Sequence, residues 1–189
     1  MKLKRKLFAL LFIGLMLAGC GRAQTPESAP SEDTGETISE EPFYVTFEAN
    51  TIEDEAVTSD IFANSKLTMI NVWATYCNPC LKEMPDLAQI ATSYDSADFQ
   101  LLGVISDITV YSEEDALTEA KELIEQTGAT TYPHLILNQS LYANLIGPID
   151  SVPTTFFVNQ EGELLGYVVG SRDKESWESI INEILAEME

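Results

Sequence analysis

Histidine and basic residues are scarce in this 189-residue chain, which has one His and ten Lys or Arg against 31 Asp or Glu. The resulting formal net charge of −21 at pH 7 repels nucleic-acid phosphates and anionic lipid headgroups. The composition therefore argues against nucleic acid as a partner and against a protein held on a membrane by its own charges. The length suffices for one medium-sized domain with extensions.

Cysteine is also rare, with three residues in all: Cys20, Cys77 and Cys80. A structural zinc site usually takes four Cys or His ligands, and only His134 could join the later two cysteines. A carboxylate could complete such a site, but the ligand count leads us to expect no metal. Covalent haem attachment needs a His directly after C-x-x-C, where Leu81 stands. A purely structural disulfide would close so short a loop that it would stabilise the fold little.

A long apolar run is lacking as well. The longest, from Leu7 to Ala18, has twelve residues, fewer than the roughly 17 to 25 that span a bilayer as a helix. It follows a basic segment, as in a signal peptide, and the "LAGC" at its end resembles the lipobox of bacterial lipoproteins. The resemblance predicts a lipoprotein signal peptide over residues 1–19 and lipidation of Cys20. The protein would then be exported and lipid-anchored on the outer face of the cytoplasmic membrane of a bacterium; an ordinary signal peptide is the alternative.

Beyond Cys20 the sequence divides into a polar tether and a domain. Residues 21–42 are rich in Ser, Thr, Pro and acidic residues, and Ile38 is their only large aliphatic residue. Such a segment cannot bury enough apolar surface to fold. We therefore predict a lipidated cysteine with a disordered acidic tether over residues 20–42 and one domain over residues 43–189.

The domain alternates strand and helix patterns. Apolar or alternating runs predict strands, and apolar residues that recur every three or four positions predict helices. The predicted strands are 43–49, 65–74, 99–106, 134–138 and a hairpin over 154–170; the predicted helices are 78–94, 112–128 with Ser112 as N-cap, 139–147 and 173–188. This order predicts an α/β fold, with a central mixed β-sheet flanked by helices on both faces and an antiparallel hairpin at its end.

The C-x-x-C pair suits redox chemistry. Cys77 follows a buried strand and falls at the predicted N-cap of a helix, where the positive end of the helix dipole favours a thiolate. Pro79 falls in the first helical turn, where no N–H is needed. We predict that Cys77 is the attacking sulfur and that Cys80 is the buried cysteine that resolves the mixed disulfide. No cofactor beyond this pair is expected.

Two motifs resemble those of the thioredoxin superfamily. "VWATYCNPC" is similar to its W-x-x-x-C-x-x-C active site, Pro85 matches its helix-kinking proline, and "SVPTTFFV" is similar to its cis-proline loop. The resemblance covers residues 43–189 and implies a thioredoxin-like fold with an N-terminal strand extension and an αβ insertion before that loop. It also implies that Pro153 is cis and that the backbone of Val152 pairs with an extended substrate. The residues that it assigns to substrate binding are Trp73, Tyr76, Asn78, Pro79, Val152 and Pro153.

Further features resemble the membrane-tethered TlpA/ResA group. Asn71 stands where thioredoxins proper carry a buried Asp, and "CNPCLKEMP" is similar to the C-x-P-C-x-x-E-x-P form of that group. The resemblance implies that Glu83 lies near the cysteines and influences their ionisation, because a carboxylate raises the pKa of a nearby thiol. A solvated glutamate on a charged helix face is the alternative. His134 is expected to be structural.

Together these features predict an extracytoplasmic thiol:disulfide oxidoreductase. The absence of a His between the cysteines favours a reductant. The resemblance implies a CcdA- or DsbD-like membrane electron donor, with apocytochrome c or an exported methionine sulfoxide reductase as the substrate.

Two other functions remain open. One is a peroxidase of the AhpC/TSA kind, which shares the fold and uses a P-x-x-x-T-x-x-C site with an arginine. Here Thr75 lies two residues before Cys77 instead of three, and Arg172 is the only arginine beyond the tether. The other is a binding lipoprotein whose disulfide is inert.

Overall fold

The computed structural model describes residues 41–188. The predicted signal peptide, Cys20 and nearly all of the predicted tether lie outside these residues, so those assignments stay predictions. Within residues 41–188, no helix is long and apolar enough to cross a membrane. The strands are β1 (Glu48–Asn50), β2 (Ala56–Thr58), β3 (Leu67–Trp73), β4 (Phe99–Thr109), β5 (His134–Leu137), β6 (Thr154–Asn159) and β7 (Leu164–Val169). The α-helices are α1 (Asn78–Ile90), α2 (Glu114–Gln126), α3 (Gln139–Leu141) and α4 (Lys174–Glu187).

The central sheet has the strand order β5-β4-β3-β6-β7. Strands β3, β4 and β5 are parallel, whereas β6 pairs antiparallel with both β3 and β7. The prediction of a mixed sheet that ends in a hairpin is therefore confirmed. Because parallel strands end at one edge of the sheet, the residues that follow β3, β4 and β5 share that edge with those that precede β6. Strands β1 and β2 form a separate antiparallel pair, which is the predicted N-terminal extension.

Hydrophobic cores cover both faces of the sheet. All seven residues of β3 are buried, as expected for a central strand of a parallel arrangement. Apolar side chains of α1, α2 and α4 pack on one face, and those of the N-terminal segment and of the region around α3 pack on the other. Helix α1, which carries the cysteines, is thus fixed on a face that α4 also covers.

Three local predictions are wrong in detail. The strand predicted over 43–49 is divided between two partners: Val45 donates a backbone hydrogen bond to Gly162, and Phe43 accepts one from Leu164. The strand that pairs with β2 begins only at Glu48. Helix α1 ends at Ile90 and not at residue 94. The hydroxyls of Thr92 and Ser93 donate to the Gln89 carbonyl, and such bonds compete with continuation of a helix.

Ser112 does not cap α2. The N-cap residue is Glu113, whose side chain makes no capping hydrogen bond. The Ser112 hydroxyl instead accepts a hydrogen bond from the Thr109 amide at 2.9 Å. The serine therefore closes the turn after β4, a use that the sequence pattern of a helix start does not reveal.

Candidate active site

The two cysteines form a disulfide at the beginning of α1, with their Cα atoms 5.3 Å apart. Cys77 is the N-cap residue, and the Cys80 amide donates to its sulfur at 3.3 Å. An amide donor and the positive end of a helix dipole both favour the thiolate that forms when the disulfide opens. Cys77 is 5% exposed and Cys80 is fully buried. A partner can therefore reach the sulfur of Cys77 more easily than that of Cys80.

The loop before β6 lies beside this disulfide. The Val152–Pro153 peptide bond is cis, as the resemblance implied. The loop is held by two hydrogen bonds: the Thr154 hydroxyl donates to the Ser151 carbonyl, and the Gly170 amide donates to the Pro153 carbonyl, each at 2.8 Å. Thr154 pairs with Val72 near the end of β3. The cis-proline loop and the cysteines therefore occupy the same edge of the sheet.

The residues around the pair differ in exposure. Tyr76 is 73% exposed, and Asn78 and Pro79 are exposed as well, so all three can contact a partner. Trp73 is fully buried, so its side chain offers no surface to a partner in this structure, and its assignment to substrate binding stays a prediction. Its indole packs below the active-site turn and donates to His134 at 3.1 Å, because the side chain of this last residue of β3 turns into the core.

Glu83 is a buried carboxylate and not a solvated one. It is 3% exposed, and three donors reach it: the side-chain amide of Asn71 at 3.1 Å, the backbone amide of Arg172 at 3.0 Å and the indole of Trp177 at 3.3 Å. Burial raises the pKa of the Glu83 carboxyl above its usual range, although these hydrogen bonds and the Arg172 charge act in the opposite direction. A raised pKa makes this carboxylate a stronger proton acceptor than an exposed glutamate.

The active-site turn is fixed by a residue that the sequence patterns did not single out. The Asp107 carboxylate accepts from the Thr75 hydroxyl at 2.6 Å and from the Thr75 amide at 3.1 Å. Asp107 lies in β4 beside the end of β3, so it pins the chain two residues before Cys77. The sequence signal that could have singled out Asp107 is that it is the one charged residue in the mainly apolar strand β4.

No group of three or more His, Cys, Asp or Glu side chains within the described part of the chain is arranged to hold a metal ion. The expectation that the protein uses no metal and no cofactor beyond the cysteine pair stays a prediction.

His134 is structural, as expected. It is 3% exposed; its Nδ1 accepts from Trp73, and its Nε2 lies 2.8 Å from the Ala129 carbonyl. The proton must therefore reside on Nε2. Its ring packs edge-on against the Trp73 indole, with the centroids 5.7 Å apart. The imidazole thereby supports the side chain below the active-site turn.

The single histidine provides a test by acidification. Burial lowers the pKa of His134 from 6.5 to about 4, although the Ala129 carbonyl acts in the opposite direction. The unfolded chain takes up a proton near pH 6.5, whereas the folded protein does so only near pH 4. The free energy of unfolding is therefore unaffected by His134 above pH 6.5. It decreases as the pH falls from 6.5 towards 4, because only the unfolded chain binds the proton in that range. Because the chain has one His, NMR titration of its ring resonance is unambiguous; a midpoint near 6.5 in the folded protein would contradict the buried geometry.

The fold and the placement of the cysteine pair put this chain in the thioredoxin-like class. Within that class it belongs to the AhpC/TSA family, whose model matches residues 43–166. The sequence and structural relatives make it a TlpA/ResA-like member of the thioredoxin superfamily, so the resemblance stated from the motifs is confirmed.

Three relatives illustrate the similarity. The thiol-disulfide oxidoreductase ResA of Bacillus thuringiensis (strain Al Hakam) is 24% identical over 120 residues, which are 63% of this chain and 64% of that protein. A thiol:disulfide interchange protein of the thioredoxin family from Chlorobium tepidum TLS is 25% identical with a TM-score of 0.64, over 77% of this chain and 97% of the other. The pneumococcal exposed lipoprotein thioredoxin Etrx1 of Streptococcus pneumoniae strain TIGR4 is 22% identical with a TM-score of 0.59, over 73% of this chain and 98% of the other.

Proposed function

We propose that the protein is a thiol:disulfide oxidoreductase that exchanges the Cys77–Cys80 pair with cysteines of partner proteins. The observation that carries the proposal is the unequal pair at the start of α1: a sulfur at the N-cap that is partly reachable, followed by a fully buried one. An inert structural disulfide needs neither the N-cap position nor the adjacent cis-proline loop. The ResA relative, a thiol-disulfide oxidoreductase, supports the same activity.

The exchange proceeds in two steps. In the reduced protein, the Cys77 thiolate attacks a partner disulfide; one new S–S bond forms, and one partner thiolate leaves and takes up a proton. The Cys80 thiol then loses its proton and attacks the Cys77 sulfur. The second partner thiolate leaves, so the partner gains two electrons and two protons and the chain regains the disulfide. No cofactor beyond the cysteine pair is needed.

We assign the reducing direction to the protein. No positively charged side chain stands between the cysteines, and the buried Glu83 carboxylate lies on the same helix. A carboxylate disfavours a nearby thiolate when it is charged, and a less stable thiolate makes the dithiol form a better electron donor. The pKa of Glu83, three residues after Cys80, is raised by burial, so its carboxylate is a stronger proton acceptor than an exposed glutamate.

The location and the partners extend this proposal. A lipid anchor at Cys20 would hold the domain outside the cytoplasmic membrane, and the similarity to a pneumococcal exposed lipoprotein supports such a placement. A membrane protein of the CcdA or DsbD kind would then supply electrons. Apocytochrome c or an exported methionine sulfoxide reductase would receive them.

The peroxidase alternative has less support, even though the family name covers such enzymes. The Arg172 guanidinium donates to the carbonyls of Gly170 and Ser171 at 3.2 and 2.9 Å. These hydrogen bonds stabilise the loop that carries Arg172. Thr75 is bound to Asp107. Neither residue is free to polarise a peroxide beside Cys77.

Reduction of insulin disulfides by the whole chain tests the proposal. With dithiothreitol as the electron source, the protein is expected to accelerate insulin precipitation over dithiothreitol alone; no acceleration would favour the inert lipoprotein. The reduction potential then tests the direction. A value as oxidising as about −120 mV, typical of a strong oxidant, would contradict the reductant assignment, and rapid peroxide consumption would favour the peroxidase.

A further inference from the structure

An apolar cavity of about 540 Å³ lies on the face of the sheet opposite the helix that carries the cysteines. Phe156 of β6 and both Tyr167 and Val169 of β7 line it, together with residues between α3 and the cis-proline loop and with Phe43 of the N-terminal segment. Among the described residues around the cavity, only Asp150 carries a charge. Because burial of an unpaired charge is costly, the cavity suits an uncharged apolar group.

Three large hydrophobic side chains around this cavity face solvent. Tyr167 is 64% exposed, Phe43 is 52% exposed and Val169 is 51% exposed. Single exposed hydrophobic residues are common on protein surfaces, but a group of them around one cavity is typical of a surface that binds another molecule. The described part of the chain leaves each of them at least half exposed. A bound apolar group would therefore remove hydrophobic surface from water, which favours binding.

The cavity adjoins the cis-proline loop. Ser151 and Thr154, which flank Val152 and Pro153, both line it. The Val152 side chain packs against the hydrophobic cores on both faces of the sheet, so this residue lies at the boundary between the two faces. Its backbone N–H and C=O make no hydrogen bond to another backbone group among residues 41–188. An extended chain can therefore pair with Val152 and continue the sheet past it.

The alternation of side chains along an extended chain connects the cavity with the cysteines. Successive residues of a strand point to opposite faces of a sheet. Cys77 and Cys80 pack in the core on one face, whereas Phe156 and Leu145, which line the cavity, belong to the core on the other. When a cysteine of a chain paired with Val152 faces Cys77, the residue next to it in that chain therefore faces the cavity.

We propose that the cavity binds the side chain adjacent to the reacting cysteine of a partner protein and selects a large, uncharged apolar side chain there. Asp150 at the cavity disfavours an acidic side chain by like-charge repulsion. Phe43 belongs to the N-terminal segment, so this segment contributes to the choice of partner. The inference rests on the proposed thiol–disulfide exchange and deepens it, because it names the class of segment that Cys77 attacks.

The test uses Cys80→Ser in the whole chain and the symmetric disulfide of a short peptide with one cysteine. Attack by the Cys77 thiolate joins one peptide to the protein through a new S–S bond and releases the other as a thiolate, which takes up a proton. The peptide with Phe on both sides of the cysteine is expected to react roughly tenfold faster than the peptide with Ser on both sides, the usual discrimination by a hydrophobic pocket. Mass spectrometry of the adduct at several times gives both rates.

Tyr167→Thr combined with Val169→Thr, made in the Cys80→Ser chain, tests whether the cavity causes this preference. Threonine suits a β-strand but replaces apolar surface by a hydroxyl. The advantage of the Phe peptide is expected to be lost, whereas the rate with the Ser peptide should not change. Leu165→Thr is the matched control and should keep the preference. Leu165 lies on the same strand and is 42% exposed, but it does not line the cavity.

An unchanged preference in the folded double variant would overturn the proposal. Ile38 is the only large aliphatic residue of the predicted tether, so a faster reaction of the Phe peptide with Ile38→Ser would assign the cavity to this chain's own N-terminal segment instead. A dimer of the protein that dissociates in the double variant, measured by analytical ultracentrifugation, would assign the cavity to a second copy. Either result would contradict binding of a partner segment.

A peptide with Phe on both sides of a Ser, in place of the Cys, tests the cavity without any exchange reaction. Binding is expected to shift the methyl NMR resonances of Ala143 and Val169, which line the cavity, and absence of these shifts would contradict the inference. A protein that showed the shifts but reacted with neither disulfide would contradict only the proposed function. Equal reaction rates with the two disulfides would contradict only the inference.

Discussion

Replacing Cys77 by Ser is expected to abolish insulin reduction, whereas replacing Cys80 by Ser is expected to stop the reaction at a mixed disulfide. The reason is that only Cys77 combines the N-cap position, the amide donor of residue 80 and partial exposure. Without it, the remaining sulfur is fully buried and cannot attack a protein disulfide. Turnover should fall on the order of 100-fold or more in both variants, because removal of either sulfur prevents completion of the exchange.

The two variants are distinguished by what they accumulate. Cys80→Ser should form a stable mixed disulfide through Cys77 with insulin or with Ellman's reagent, and mass spectrometry should find one adduct per chain. Cys77→Ser is the matched control and should react far more slowly. If the two single-cysteine variants reacted at equal rates, the assignment of Cys77 as the attacking sulfur would be wrong.

The same trapping variant would identify the physiological partner. Since the resolving step is missing, Cys80→Ser holds on Cys77 any protein whose disulfide it has attacked. Capture of an apocytochrome or of a methionine sulfoxide reductase would select between the two proposed substrates.

The features that the sequence predicted well are local or depend on a contiguous motif. The cysteine pair, Pro79 and the start of α1 fall within four residues, so spacing and helix-capping rules placed them correctly. The cis-proline loop was predicted from a second short motif. Its position at the edge of the sheet that holds the cysteines follows from the pairing of β6 with β3, which the structure shows.

The surroundings of Glu83 could not be predicted in this way. Two of its three donors, Arg172 and Trp177, follow it by 89 and 94 residues. The sequence around Glu83 left a buried and a solvated carboxylate equally open, since the decision depends on where α4 docks. Likewise, the contact of Trp73 with His134 spans 61 residues and depends on the register of three strands.

Gly103→Ala should show how strongly stability depends on the alignment of β4 with β5, in which Gly103 pairs with His134. A Cβ atom at Gly103 would collide with Nδ1 of His134 and would lie 2.9 Å from its Cε1. The ring cannot easily move aside, because Trp73 and Ala129 hold both of its nitrogens. We expect a loss of about 1–3 kcal/mol in the free energy of unfolding, the usual cost of overfilling a packed core. Urea unfolding monitored by tryptophan fluorescence measures it.

The sheet itself offers a matched control in Gly166→Ala. Gly166 lies in β7, and a Cβ atom there would meet no atom within 4 Å. An alanine at such a position changes stability little or raises it slightly, because it restricts the unfolded chain. If both variants had the same urea midpoint, the His134 contact would not be the reason why residue 103 is a glycine. If the contact is the reason, His134→Ala combined with Gly103→Ala should cost less than the sum of the single changes, since the methyl group then enters the space that the ring has left.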